Sequence, residues 1–230
     1  MFPIGDDQVK GGYKPIFAYA IIVLNVLVFI FQVTLSPAQL EQFIGNYGTV
    51  PAQITQGHHL ISLFSSMFLH GGWMHLIGNM TFLWVFGDNI EAVIGNLNFL
   101  LFYFIGGLAA SAAHILAGPD SIVPAIGASG AIASVLGAYI VMFPASKIKI
   151  LVIYFFSSFY IPAIFFLGIW IIQQLLNGFF SLGASATEDQ SSGIAWWAHI
   201  GGFAFGLIAG IVARWSIEHR GPATNTGETV

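Results

Sequence analysis

Apolar residues run along most of this chain in blocks of about twenty, separated by short polar breaks. Six blocks are long enough to count as spans: about 16–36, 72–87, 97–117, 129–143, 162–181 and 195–216. In hydrocarbon every backbone polar group must find its partner within the protein, so each block is expected to be a helix. Residues 37–71 carry Pro37, Glu41, Asn46 and Pro51 between apolar runs too short to cross, which predicts short helices and loops lying in the interface. Residues 144–161 are apolar but hold Pro144, Lys147 and Lys149, with Pro162 at the boundary, and read as an interfacial or re-entrant piece on the inner side. The expected fold class is an all-α membrane protein, a bundle of six transmembrane helices. Residues 16–216 form the membrane domain, flanked by short, polar, mobile tails at 1–15 and 217–230.

Composition supports the same reading. Of 230 residues 57% are hydrophobic and 7% charged, with mean hydropathy +0.83. A soluble domain carries about a quarter charged residues. The absence of cysteine excludes disulfide scaffolds, thiolate zinc sites and cysteine nucleophiles. A net charge of −4 leaves no basic footprint for nucleic acid. The first block, Ile16 to Leu35, is longer than a signal-peptide core and reads as a retained span.

All six cationic residues fall in three places: Lys10 and Lys14 before the first span, Lys147 and Lys149 between the fourth and fifth, Arg214 and Arg220 at the end. With six spans these places share one side. The positive-inside rule then sets both termini in the cytoplasm of a cell-membrane protein. Spans two, four and six consequently start outside and run inward. The chemically suggestive residues cluster near those starts: His75 and Asn79 in the second, Ser129 in the fourth, His199 in the sixth.

The fourth span has 15 residues from Ser129 to Phe143, roughly 22 Å of helix against a core of about 30 Å. Its outer end must stop below the surface, and residues 118–128 must dip to meet it. Non-helical backbone at that depth predicts a wet cavity opening outward above Ser129. Ser129, Ala133 and Gly137 form one small-residue face; His199, Gly202, Gly206 and Gly210 form another. Mating these faces sets Ser129 beside His199. Glycine stripes alone would signify packing, but a Ser heads one stripe and a His the other. A serine becomes a nucleophile when a neutral imidazole takes its proton. No carboxylate lies in the outer half of any span, so a dyad is expected, with packing or water orienting the His. His75 and Asn79, four apart on one helix face, are candidate oxyanion donors together with the Ser129 backbone N–H; interhelical hydrogen bonding is their alternative role. Gln173, Gln174 and Asn177 read as packing contacts rather than substrate contacts.

Gly127-Ala128-Ser129-Gly130 resembles the Gly-x-Ser-Gly nucleophile motif of rhomboid intramembrane proteases. Ala198-His199-Ile200-Gly201-Gly202, followed by Gly206, is similar to the stretch around the rhomboid histidine, and His70 to Asn79 to the stretch that supplies its oxyanion donors. Glu91 and Gly95 match a further Glu-x-x-x-Gly pattern. The resemblance covers residues 16–216 and is to the bacterial or archaeal type with a six-helix core. It implies a rhomboid-like bundle, and a serine endopeptidase that cuts in or near transmembrane segments of membrane-protein substrates. It also implies Ser129 and His199 as the catalytic pair, His75, Asn79 and Ser129 as oxyanion binders, no metal or organic cofactor, and substrate access between the second and fifth helices. Two departures stand out. Ile61-Ser62 occupies the place of a Trp-Arg pair in the first outer loop, and Ala133 replaces a Tyr that braces the histidine in some members.

Competing functions are a channel or transporter using His75 and His199 as pore groups, and a rhomboid-like protein that binds membrane clients without cutting them. Six short, dissimilar spans show no transporter-type repeat, and a non-cutting relative is expected to lack the Ser or the His. A metalloprotease would need His-Glu-x-x-His, which is absent.

Overall fold

A computed structural model describes residues 2–7, 11–152, 157–181 and 195–219. The loop at 182–194, expected to face outward, and Lys10, Arg220 and the tail after His219, lie outside the described residues.

The apolar blocks form helices α1 (Ile16–Thr34), α5 (Trp73–Ile94), α6 (Asn96–Ala117), α7 (Ser129–Met142), α8 (Ala163–Ser181) and α9 (Trp196–Glu218). Four of them, α1, α6, α8 and α9, are long and apolar enough to cross a bilayer. Their outward faces carry large apolar side chains such as Val23, Leu27, Phe165, Ile169 and Ile211, which suit lipid. α7 is the centre of the bundle. It is buried without interruption from Gly130 to Tyr139 and packs most extensively on α9, then on α6 and α5.

Glycines allow that central packing. A Cβ at Gly202 would fall on the Gly130 carbonyl oxygen, one at Gly206 on the Ser134 carbonyl oxygen, and one at Gly137 on the Phe203 carbonyl oxygen. The α7 and α9 backbones therefore touch along the two small-residue faces.

Between α1 and α5 lie α2 (Pro37–Tyr47), α3 (Pro51–Thr55), α4 (Ser62–Ser65) and a 3₁₀ turn at Ser66–Phe68, as expected of an interfacial segment. Ser36 and Gln39 form a reciprocal capping box that starts α2.

Two expectations, the inner end of the second span and the mobility of the N-terminal tail, are corrected. α5 continues to Ile94, past the boundary set at residue 87. Its last turns hold Asp88, Asn89 and Glu91, which look like loop residues but are buried with partners. Asn89 donates to Asp6, and Glu91 accepts from the backbone N–H groups of Phe17 and Ala18 at 2.9 and 2.7 Å and from Asn96. Glu91 thus caps the start of α1, where N–H groups have no helical partner and negative charge is favoured.

Residues 144–161, expected to be an interfacial or re-entrant piece, hold the antiparallel strands β2 (Lys147–Val152) and β3 (Ser157–Pro162). Lys147-Ile148-Lys149-Ile150 alternates with the period of a strand, and Ile148 and Ile150 point into the core.

The N-terminal tail, expected to be mobile, begins with β1 (Phe2–Gly5), which pairs antiparallel with β2. Asp6 holds Asn89 and Tyr139, and Asp7 accepts from the Lys147 N–H at 3.0 Å. Burial pushes the Asp6 carboxyl above the usual carboxylate range, against the pull of its hydrogen bonds. Pairing of β1 with β2, and a bond from Arg214 to the Val141 carbonyl, place Lys147, Lys149 and Arg214 at one end of the bundle.

Candidate active site

The opposite end is built around residues 118–128. Ala125 forms an antiparallel bridge with Thr49, and the Gly127 N–H donates to the Ser66 carbonyl at 2.9 Å. Thr49 is itself tied to the Ser62 carbonyl and the Ser66 hydroxyl, both at 2.9 Å. These bonds satisfy non-helical backbone below the helix ends. They also answer how the segment between α1 and α5 is held with Ile61-Ser62 in its sequence: Ser62 is buried under Thr49, while Ile61 is exposed. Gln32 of α1 adds a two-way clasp on His70, accepting its N–H and donating to its carbonyl.

Held this way, the loop delivers Ser129 as the first residue of α7, next to His199 in the first turn of α9. The Ser129 Oγ lies 2.8 Å from His199 Nε2. The other ring nitrogen of His199 lies 2.8 Å from Oε1 of Gln174 on α8. The Trp170 ring sits beside the imidazole at 5.8 Å between centroids, and Trp196 meets it edge-on at 6.4 Å. From the sequence the bracing of His199 is open and Gln174 reads as packing. The overlooked signal was an amide on the one face that α8 buries, in line with Ala163, Leu167 and Gly178.

His75 and Asn79 stand on the other side of the loop. Gly127 has φ +122°, and a Cβ there would lie 2.7 Å from His75 Nε2 and 3.5 Å from Asn79 Nδ2. Only glycine brings the backbone just before Ser129 this close to both. The Gly71 N–H donates to His75 Nδ1 at 3.3 Å, so Nε2 carries the proton that faces the loop. The Asn79 amide donates one N–H to His70 Nε2 at 2.9 Å and keeps a second.

A cavity of about 30 Å³ borders Ser129, lined by Thr49, Ser66, His114, Gly127 and Ala198. Its volume holds about one or two waters.

The fold and site define a multi-pass membrane protein in which a Ser–His pair lies at helix starts beneath a dipping loop. Residues 57–216 match the Rhomboid domain, and the chain belongs to the rhomboid family. The match includes His75, Asn79, Ser129 and His199 and starts after α1, later than the resemblance drawn from motifs.

Among similar proteins, Rhomboid protein 1, mitochondrial, of Saccharomyces cerevisiae is 31% identical over 162 residues, 69% of this chain and 43% of that protein. Presenilin-associated rhomboid-like protein A, mitochondrial, of Danio rerio is 29% identical over 117 residues, 50% of this chain and 30% of that protein. Rhomboid-like protease 5 of Toxoplasma gondii is 28% identical over 156 residues, 66% of this chain and 16% of that protein. The chain spans less than half the length of these relatives.

Proposed function

We propose that this protein is an intramembrane serine endopeptidase that cuts membrane-protein substrates in or near their transmembrane segments. The observation that carries the reading is the 2.8 Å contact between Ser129 Oγ and His199 Nε2 at the starts of two helices in van der Waals contact.

The chemistry follows from those atoms. His199 Nε2 takes the Ser129 proton as Oγ attacks the scissile carbonyl carbon. The carbonyl oxygen becomes an oxyanion, bonded by the Ser129 N–H at the open start of α7, by His75 Nε2–H and by the second N–H of Asn79. The imidazolium returns its proton to the leaving amine, the C–N bond breaks, and an acyl-enzyme on Ser129 remains. Water, losing its proton to His199, then hydrolyses that ester and frees Oγ. The reaction needs no metal or organic cofactor.

Substrate entry is assigned to the side between α5 and α8. There α8 meets α5 through the Phe166 ring, stacked at 6.1 and 6.3 Å from the Phe82 and Phe86 rings, and Phe165, Ile169 and Phe179 of α8 lie open to lipid. The end bearing Lys147, Lys149 and Arg214 faces the cytoplasm of a cell membrane by the positive-inside rule, with residues 1–15 and 217–230 as its tails.

The test is cleavage of a fluorescent single-pass substrate by purified wild type, Ser129→Ala and His199→Ala, with thermal unfolding of each measured in parallel. Cutting by wild type alone among folded proteins supports the proposal. Equal cutting by all three refutes the assigned residues. Association with the substrate that is indifferent to Ser129→Ala, without cutting, supports a client-binding protein.

A further inference from the structure

We infer that Gln174 is a positioning residue that fixes which nitrogen of His199 carries the proton, an amide standing where a triad has a carboxylate; this rests on the proposed protease reading.

A line of hydrogen bonds from Trp170 to Ser129 has each of its directions forced in turn. Gln174 is 4% exposed and occupies the buried stripe of α8. Its Nε2 lies 3.3 Å from the Trp170 carbonyl, one helical turn back. A carbonyl accepts only, so the amide nitrogen must face it and the amide oxygen must face away. The reversed amide would set two oxygens against each other. The outward oxygen lies 2.8 Å from His199 Nδ1. An amide oxygen also accepts only, so Nδ1 carries the proton. A neutral imidazole has one N–H, and its other nitrogen is then a lone pair. That lone pair is Nε2, 2.8 Å from Ser129 Oγ. The Trp170 carbonyl therefore sets the amide, the amide sets the ring, and the ring presents a base to the serine.

Trp170 acts twice in this arrangement. Its carbonyl orients Gln174, and its ring, with that of Trp196, flanks the imidazole and limits rotation about the side chain. When Nε2 gains the serine proton, Nδ1–H keeps the same acceptor, so the imidazolium forms without reorganisation. An amide does this without bringing a full charge to membrane depth, where a carboxylate is costly. The arrangement also supplies what Ala133 does not, a hold on the histidine. Because Gln174 belongs to α8 and Ser129 to α7, the histidine is held in its basic tautomer only while α8 lies against α9.

Interhelical adhesion alone would make Gln174 matter for stability and nothing else. The experiment uses full-length protein in detergent with ¹⁵N-histidine, the His199 signals being assigned by their loss in His199→Gln. Wild type, Gln174→Met and Gln174→Glu are compared at mildly alkaline pH. Met matches the length of the side chain and removes the acceptor; Glu keeps an acceptor oxygen.

The expected spectra show the Nδ1–H tautomer at His199 in wild type and Gln174→Glu, and loss of that preference in Gln174→Met. Cleavage by folded Gln174→Met is expected to fall in kcat by about 10²-fold or more at nearly constant KM, with Gln174→Glu within about tenfold of wild type. An unchanged tautomer in Gln174→Met overturns the inference, as does an Nε2–H tautomer in wild type. Equal loss of kcat in the Met and Glu variants overturns it too. A wild type that cleaves nothing defeats the protease reading, and the tautomer spectra still decide whether Gln174 sets the ring.

Discussion

Adding one methyl group to Gly202 should separate the serine from the histidine. The new Cβ would meet the Gly130 carbonyl oxygen, well inside contact distance, with Ala133 Cβ at 3.2 Å on its other side. Neither neighbour can give way, since one is helix backbone and the other is packed in the core. α9 must move from α7 by about 1 Å for ordinary contact to return. His199 is three residues before Gly202 on the same helix, so its ring moves with it. The Oγ–Nε2 distance of 2.8 Å would then reach the limit of a useful hydrogen bond.

Two energies oppose each other in this variant. Overpacking a tight core costs about 1–3 kcal/mol, while replacing glycine by alanine inside a helix returns about 1 kcal/mol. Stability should fall by at most about 2 kcal/mol, leaving a folded protein. Activity should fall far more, since a misplacement of about 1 Å can cost about 10²-fold. Gly168 on α8 is the control: a Cβ there meets nothing within 4 Å, so Gly168→Ala should match or exceed wild-type stability and keep activity. The assay pairs thermal unfolding in detergent with cleavage of a single-pass substrate. A Gly202→Ala protein as active as wild type would refute the claim that backbone contact between α7 and α9 sets the site.

Other outcomes follow from single contacts. Glu91→Ala removes an acceptor serving Phe17, Ala18 and Asn96 and leaves buried N–H groups unpaired, so detergent unfolding should show a loss of about 3–5 kcal/mol; a loss under 1 kcal/mol would contradict the capping role. His75→Ala and Asn79→Ala should each lower kcat by about 10²–10³-fold while Ser129 and His199 remain in place; an effect on KM alone would count against oxyanion binding. Asp6 has a folded-state pKa above its ordinary 3.8, so the folded protein prefers its protonated form and wild-type stability is reduced as pH rises above 3.8. Asp6→Asn should therefore gain stability relative to wild type between acidic and neutral pH, read as a widening gap in unfolding temperature; a gap that narrows would reverse the sign.

The bundle was readable because lipid imposes one rule on every span, and the interval lengths, the charges and the small-residue faces of α7 and α9 obeyed it together. Ser129 and His199 were legible for the same reason, each heading a stripe whose partner stripe was also visible. What escaped the sequence was pairing between distant polar groups. Asn89 and Glu91 looked like a helix end because their partners, Asp6 and the start of α1, lie more than seventy residues away. The strand period of Lys147 to Ile150 was hidden inside an apolar segment in a protein otherwise governed by helices. Gln174 passed for packing because its place on the buried stripe of α8 marks an amide inside the bundle but not the ring on α9 that it meets.

The most direct measurement is covalent labelling of the folded wild-type protein by a fluorophosphonate, with the modified residue located by mass spectrometry. One adduct is expected on Ser129 Oγ, formed by wild type and lost in folded His199→Ala, because Nε2 must take the serine proton. Labelling of another residue, or labelling of Ser129 that persists unchanged in His199→Ala, would contradict it.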